Sequence, residues 1–165
     1  NPLPQGNELF GVNFVNDNLG WAVGRFGTII KTTDGGSSWG FQKTTEINSL
    51  KDISFYDPNY GLVVGNDGIV LTTSNGGMLW EPRISTTQIE LNSVQFVNEN
   101  TAITVGYRGT ILRSSDKGQT WNGIYVEALQ DSIIRLNDIF LKSNSELFVV
   151  GEYGLILKSI DAGLT

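Results

Sequence analysis

No cysteine and no histidine occur anywhere in the 165 residues. The first absence excludes disulfides and thiolate sites. The second removes the commonest near-neutral acid–base group and the commonest metal ligand. Charge is also scarce, at 17% of the chain, and 11 basic against 17 acidic side chains leave a net charge of −6. With no run of Lys or Arg, nucleic acid is not an expected partner. No apolar stretch reaches membrane-spanning length, so no transmembrane segment is expected. What the chain does hold is glycine, 20 residues of it, together with a 39% hydrophobic content. That combination fits one folded domain with many tight turns rather than a disordered chain.

Self-comparison is the most informative step. The stretch VGRFGTIIKTTDGGSSW at 23–39 returns as VGNDGIVLTTSNGGMLW at 64–80 and as VGYRGTILRSSDKGQTW at 105–121. A fourth copy, VGEYGLILKSIDAGLT, runs from 150 to 165. The equivalent glycines are Gly24, Gly65, Gly106 and Gly151, at intervals of 41, 41 and 45 residues. An upstream pattern travels with them: Leu9, Val12 and Phe14 match Leu50, Ile53 and Phe55, then Leu91, Val94 and Phe96, then Leu136, Ile139 and Leu141. The units are 9–49, 50–90, 91–135 and a truncated 136–165, within a single domain spanning 1–165.

Short alternating or β-branched runs separated by Gly and Asn/Asp turns predict strands in FGVNFV, GWAVG and TIIKTT, with a weaker fourth strand from each Trp. Four strands in about 41 residues is the pattern of a propeller blade. The fold class is therefore all-β, a β-propeller of four-stranded antiparallel blades with about four blades present. A lone blade cannot cover its two apolar faces, whereas blades stacked about an axis bury both. Trp39, Trp80 and Trp121 are expected to pack blade against blade. Residues 125–134 could form a turn of helix at most. The incomplete fourth unit predicts a partial ring whose remaining blades come from a parent chain or from self-association.

The turn pattern Ser/Thr-x-Asp-x-Gly-x-Thr/Ser-Trp occurs as Thr32, Asp34, Gly36, Ser38 and Trp39, and again as Ser114, Asp116, Gly118, Thr120 and Trp121. It resembles the Asp box of sialidase- and sortilin-type propellers. The second unit departs from it with Asn75 and Leu79, keeping Gly77 and Trp80; the fourth has Ser159, Asp161, Gly163 and Thr165. With GWAVGRFGTI preceding the box, nearly the whole chain resembles the photosystem II assembly/stability factor family of BNR-repeat propellers. That resemblance implies a ring of about seven blades, a protein-binding assembly role and an exported bacterial protein, periplasmic, cell-surface or extracellular, with its signal peptide outside this sequence.

The box itself is expected to build the fold. Asp34 and its equivalents can accept hydrogen bonds from N–H groups of their own turn. Asn75 keeps the acceptor oxygen without the charge, which suits a structural part and would ruin a carboxylate catalyst. A sialidase-like enzyme would need an arginine cluster, and of Arg25, Arg83, Arg108, Arg113 and Arg135 only Arg25 and Arg108 fall in turns expected to share a face. A two-carboxylate glycosidase would have Asp67 and Glu152 as its best pair, two blades apart. No catalytic residue, metal or cofactor is expected.

A binding face is expected where strands two and three join. There the flanking glycines repeat, but the pairs between them do not: Arg25–Phe26, Asn66–Asp67, Tyr107–Arg108 and Glu152–Tyr153. A fixed scaffold with varied tips is how repeat proteins build binding surfaces. The insertion between Trp121 and Leu136, with Tyr125, Glu127, Gln130 and Asp131, is expected to add to that face. The reading is a noncatalytic scaffold for a protein partner; the alternative is a carbohydrate-binding or glycosidase-related module whose partner is a glycan.

Overall fold

In the computed structural model, which describes residues 6–129 and 133–164, four antiparallel sheets follow one another along the chain. The first holds β1 (Leu9–Phe14), β2 (Gly20–Gly24), β3 (Ile29–Thr32) and β4 (Gly40–Phe41). The second holds β5 (Leu50–Phe55), β6 (Gly61–Gly65), β7 (Val70–Thr73) and β8 (Glu81–Arg83). The third holds β9 (Leu91–Phe96), β10 (Ala102–Gly106), β11 (Ile111–Ser114) and β12 (Asn122–Gly123). The last has three described strands, β13 (Leu136–Leu141), β14 (Leu147–Gly151) and β15 (Ile156–Ser159). Spatial order equals chain order in every sheet, so each is an up-and-down blade, and the molecule is a partial β-propeller of about four blades. The 125–134 segment contributes one 3-10 turn, Glu127–Leu129; Gln130 and Asp131 lie outside the described residues.

Period-two alternation gives each blade two apolar faces, and the faces meet in three seams. Trp21, Val23 and Ile29 of blade 1 pack on Leu50, Ile53, Phe55 and Trp80 of blade 2. The same positions one unit on, Leu62, Val64 and Val70, pack on Leu91, Val94, Phe96 and Trp121. Ile103, Val105 and Ile111 pack on Leu136, Ile139, Leu147 and Val149. At about 1.5–3 kcal/mol per buried large apolar side chain, these seams dominate the stability of the arc. Trp80 and Trp121 are buried in seams as the repeat implies. Trp39 is not: it sits half-buried on the open side of blade 1, edge-on to Phe14 at 6.0 Å, because no blade covers that side.

The first strands β1, β5, β9 and β13 lie in a row along the inner rim. They exchange no ladder hydrogen bonds; side chains bridge them instead. Asn13 Oδ1 accepts the Phe55 N–H at 3.1 Å, and Ser54 Oγ accepts the Phe96 N–H at 3.1 Å. Asp52 Oδ2 accepts the Val94 N–H at 2.9 Å, and Asn92 Nδ2 donates to the Leu136 carbonyl at 2.8 Å. The row is an open arc, since β13 does not pack back onto β1 as its neighbours pack on each other.

Candidate binding face

The joints between strands two and three are single 3-10 turns at Arg25–Gly27, Asn66–Gly68, Tyr107–Gly109 and Glu152–Gly154. In each, two successive residues take positive φ, the twist a tight hairpin between right-twisted strands requires. The second is glycine in every copy. The first is Phe26 (φ 58°), Asp67 (57°), Arg108 (55°) or Tyr153 (58°). Holding a non-glycine residue there costs roughly 1–2 kcal/mol per turn, and the fold does so four times. It can because the turn is pinned from below: the N–H groups of Arg25, Asn66, Tyr107 and Glu152 donate to the carbonyls of Glu8, Ser49, Glu90 and Arg135 at 2.8–3.0 Å. Gly24 is fixed by space rather than conformation, since a Cβ would stand 2.0 Å from the Glu8 carbonyl oxygen.

The tips project outward. Phe26 is 67% and Tyr153 87% exposed, and Arg108 meets no ionic partner among the described residues. Around them runs a charged network that joins blades. Arg25 pairs with Glu8 at 3.1 Å. Glu90 lies between Arg135 at 3.1 Å and Lys51 at 3.9 Å, while the Arg135 guanidinium covers the Tyr107 ring at 5.4 Å. Asn48 Nδ2 donates to Asp67 at 3.2 Å, and Glu152 Oε2 accepts the Arg135 N–H at 3.0 Å. Asp67 and Glu152 are thus held by separate local partners rather than brought together as an acid–base pair.

Two more arginines than expected reach this face. Arg135 ends the connection beneath the last tip, and Arg83 shares a hollow with Asp67, Ser85, Thr87 and Gln88. Only Arg113 points to the other end, where its Nε donates to the Ala162 carbonyl at 3.1 Å. Sequence reasoning missed Lys51, Glu90, Arg83 and Arg135 because none lies in a tip; Glu90 and Arg135 stand just before the inner strands β9 and β13, Lys51 is the second residue of β5, and Arg83 ends the outer strand β8. Tyr125 is not among the tips either. It lines a hollow with Arg113, Ser115, Gly163 and Leu164, on the flank between blades 3 and 4.

The Asp-box turns occupy the opposite end. Thr32 Oγ1 donates to Asp34 at 2.7 Å and accepts the Gly36 N–H at 2.9 Å. Asp34 also accepts the Ser38 N–H at 2.8 Å and the Ser38 hydroxyl at 2.6 Å. The Ser38 hydroxyl first, then the Ser38 N–H and the Thr32 hydroxyl, hold the Asp34 carboxyl down to about 2. In Asp116, burial works against ionisation, but the Thr120 hydroxyl and N–H and the Ser114 hydroxyl outweigh it, so its pKa is lowered too. Asn75 Oδ1 takes the Thr73 hydroxyl at 3.0 Å and the Leu79 N–H at 2.9 Å, and Asp161 takes the Ser159 hydroxyl at 2.7 Å and the Leu164 N–H at 3.0 Å. In all four boxes the Oδ1 of the Asp or Asn is occupied by its own turn.

On the inner rim, Ser93 Oγ lies 2.9 Å from Asp52 Oδ2 and 3.0 Å from Asp138 Oδ1. Burial pushes the Asp52 carboxyl up, the Val94, Ile53 and Ser93 bonds oppose this, and the nearby Asp138 charge adds to it. Among the described residues, no cluster of three or more His, Cys, Asp or Glu could hold a metal, and no helix is long and apolar enough to cross a membrane.

The crystal structure of the GH74 xyloglucanase from Xanthomonas campestris shares the fold at TM-score 0.75 and 14% identity, over 97% of this chain and 30% of that one. The structure of YCF48 bound to D1 peptide aligns at TM-score 0.69 and 18% identity, over 99% of this chain and 82% of that one. YCF48 from Cyanidioschyzon merolae aligns at TM-score 0.69 and 22% identity, over 95% of this chain and 57% of that one. No curated protein matches in sequence. The family model for photosynthesis system II assembly factor YCF48 matches residues 42–100 and 84–165, three-quarters of the chain, and the chain therefore belongs to that family.

Proposed function

We propose that this chain is a noncatalytic propeller scaffold that binds an extended segment of a partner protein, as an assembly or stability factor does, on the face formed by its four strand-two-to-three tips. The observation that carries this reading is the set of left-handed residues Phe26, Asp67, Arg108 and Tyr153: strained, exposed and different in each blade, on a backbone that is otherwise repeated. Strain of this kind persists where surrounding structure imposes it, and it clusters at ligand-binding positions. Arginines and aromatics side by side are the residue types that anchor protein interfaces. Of the four arginines at this end, Arg25, Arg83 and Arg135 pair with Glu8, Glu81 and Glu90, whereas Arg108 meets no ionic partner among the described residues, which favours a partner segment offering it a carboxylate. One family member has been seen bound to D1 peptide, which supplies the first probe. An exported location goes with this reading, as does a ring larger than the four blades present.

Titration of the D1 peptide by calorimetry tests the proposal. Binding that weakens roughly tenfold or more in the combined variant Phe26→Ala, Arg108→Ala, Tyr153→Ala supports it. Unchanged affinity in that variant removes the face from consideration. Release of reducing sugar from xyloglucan, lost on Asp67→Asn or Glu152→Gln, would replace the scaffold with an enzyme.

A further inference from the structure

The third residue of each inner strand follows a break in the ladder register, and the four copies there are Gly11, Asp52, Ser93 and Asp138. An irregularity of this kind re-aims the side chain beside it. Three of the four meet along the rim, although they belong to blades 2, 3 and 4. Ser93 Oγ lies 2.9 Å from Asp52 Oδ2 on one side and 3.0 Å from Asp138 Oδ1 on the other. Ser93 is buried, Asp52 half-buried and Asp138 exposed. Gly11 brings blade 1 against Asp52 without a side chain; a Cβ there would stand 2.8 Å from the Asp52 Cα.

A serine hydroxyl carries one proton. It can donate to one of the two carboxylates, and with both ionised its lone pairs face the other oxygen at hydrogen-bond distance. Backbone N–H groups already occupy other lone pairs, those of Val94 and Ile53 on Asp52 and that of Ile139 on Asp138. One further proton completes the chain: Asp52 Oδ2–H donates to Ser93 Oγ, and Ser93 O–H donates to Asp138 Oδ1. The proton belongs on Asp52, which is the less hydrated of the two.

No cation offsets the pair, since neither carboxyl has an ionic partner among the described residues. The strands packed beside them, β1, β2, β6, β9, β10 and β14, carry no charged side chain. The other charged residue of β5, Lys51, faces Glu90 and the Phe10 ring, and Glu90 also pairs with Arg135. Among the tips packed on these inner strands, Arg25 pairs with Glu8 and Asp67 accepts from Asn48, while Arg108 stands at the tip end of β13.

We propose that Asp52 and Asp138 hold one proton in common through the Ser93 hydroxyl, and that this proton makes the rim junction of blades 2, 3 and 4 a pH-sensitive joint. When it leaves, the Asp52 O–H bond breaks and the proton passes to water. The Ser93 hydroxyl then serves a single acceptor. Half-buried Asp52 keeps it, exposed Asp138 turns to solvent, and the third seam loses this link on the rim. The second seam retains its Val94 N–H bond. The joint is fastened in mild acid and released toward neutral pH.

Carbon-13 NMR titration of the Asp52 and Asp138 carboxyls in the 165-residue chain tests this. The pair should release its protons in two steps about two or more pH units apart, the upper one between about pH 5 and 7. Ser93→Ala should lower the upper step by about one unit, because the singly protonated pair uses two hydrogen bonds through Ser93 and the doubly ionised pair only one. A serine that merely donates to an ionised Asp52 gives the reverse, and a rise in that step overturns the proposal. Asp138→Asn should leave Asp52 a single step, at least about one unit below the upper step of the pair. Both carboxyls titrating together in the ordinary range overturns the proposal, as does an Asp52 titration that Asp138→Asn leaves unmoved. Urea unfolding reads the same proton without resonance assignment. The unfolding constant of Ser93→Ala, relative to the unsubstituted chain, should shrink about tenfold from about pH 4 to about pH 8; a ratio that stays level or grows overturns the joint.

Discussion

Across the first seam the indole of Trp21 lies flat on the ring of Phe55, with centroids 3.6 Å apart and planes 9° from parallel. The same Phe55 ring meets Trp80 edge-on at 5.9 Å. One side chain of blade 2 therefore touches both large aromatics of its seam. Phe55→Ala should cost about 3–5 kcal/mol, read from the urea midpoint. Phe55→Leu, which copies Leu141 of the last unit, should cost less than half as much.

The tips should show the opposite sign. Tyr153 is almost fully exposed at φ 58°, so Tyr153→Gly removes backbone strain and loses little packing. A gain of about 0.5–1 kcal/mol is expected, measured by thermal melt, together with weaker binding of the partner segment. A loss of stability would show that the tip side chain supports the fold rather than the ligand.

Asp34 links the box to pH. Its folded pKa lies below the unfolded value of 3.8, at about 2, so its stabilising contribution is fully present above about pH 4. It should disappear as pH falls from about 4 through about 2. Asp34→Ala should lower the melting temperature at pH 7 and lower it less at pH 2, where the charge contribution is largely gone and the neutral hydrogen bonds of the turn remain. Asp34→Asn should retain much of the stability, as Asn75 does in the second unit.

Asp52 titrates the other way. Its folded pKa is raised, so the protein should lose stability as pH rises from the ordinary carboxylate range through that raised value. Asp138→Asn removes the like charge and can keep the Ser93 and Ile139 bonds on its amide oxygen. It should raise the melting temperature at pH 7, by an amount equivalent to a few tenths of a kcal/mol up to about 1. The gain should shrink in high salt and fade as pH falls.

Gly118 is a test of seam closeness. It sits at φ 80°, and a Cβ there would stand 2.4 Å from Leu62 Cδ2 of the preceding blade. Gly118→Ala should cost about 2 kcal/mol or more, with strain and overpacking acting together, and Leu62→Ala should not restore the loss in full. Urea unfolding of both variants and the pair checks it.

Much of this architecture is readable in the residues because the chain states it repeatedly. Gly24, Gly65, Gly106 and Gly151 mark the same hairpin, and the flanking alternation fixes which face each strand buries. The tips were readable for the same reason, as the positions where the repeat stops repeating. Partnerships across blades were not. Lys51, Glu90 and Arg135 meet because the arc curves, a distance of about one unit apart in sequence that no local pattern encodes. Trp39 has the box signature of Trp80 and Trp121, yet its burial depends on a neighbour that sequence position alone does not supply.

The bridges Asn13 to Phe55 N–H and Ser54 to Phe96 N–H give the first and second seams a reporter each. Those two amides are shielded by a side chain of the adjacent blade, whereas amides in the β2 or β6 ladder are shielded within one blade. Deuterium uptake at Phe55 and Phe96 thus reads the parting of blades, and uptake in the ladders reads the melting of a blade. The two motions, which a thermal melt merges into one transition, can be timed separately in the same molecule.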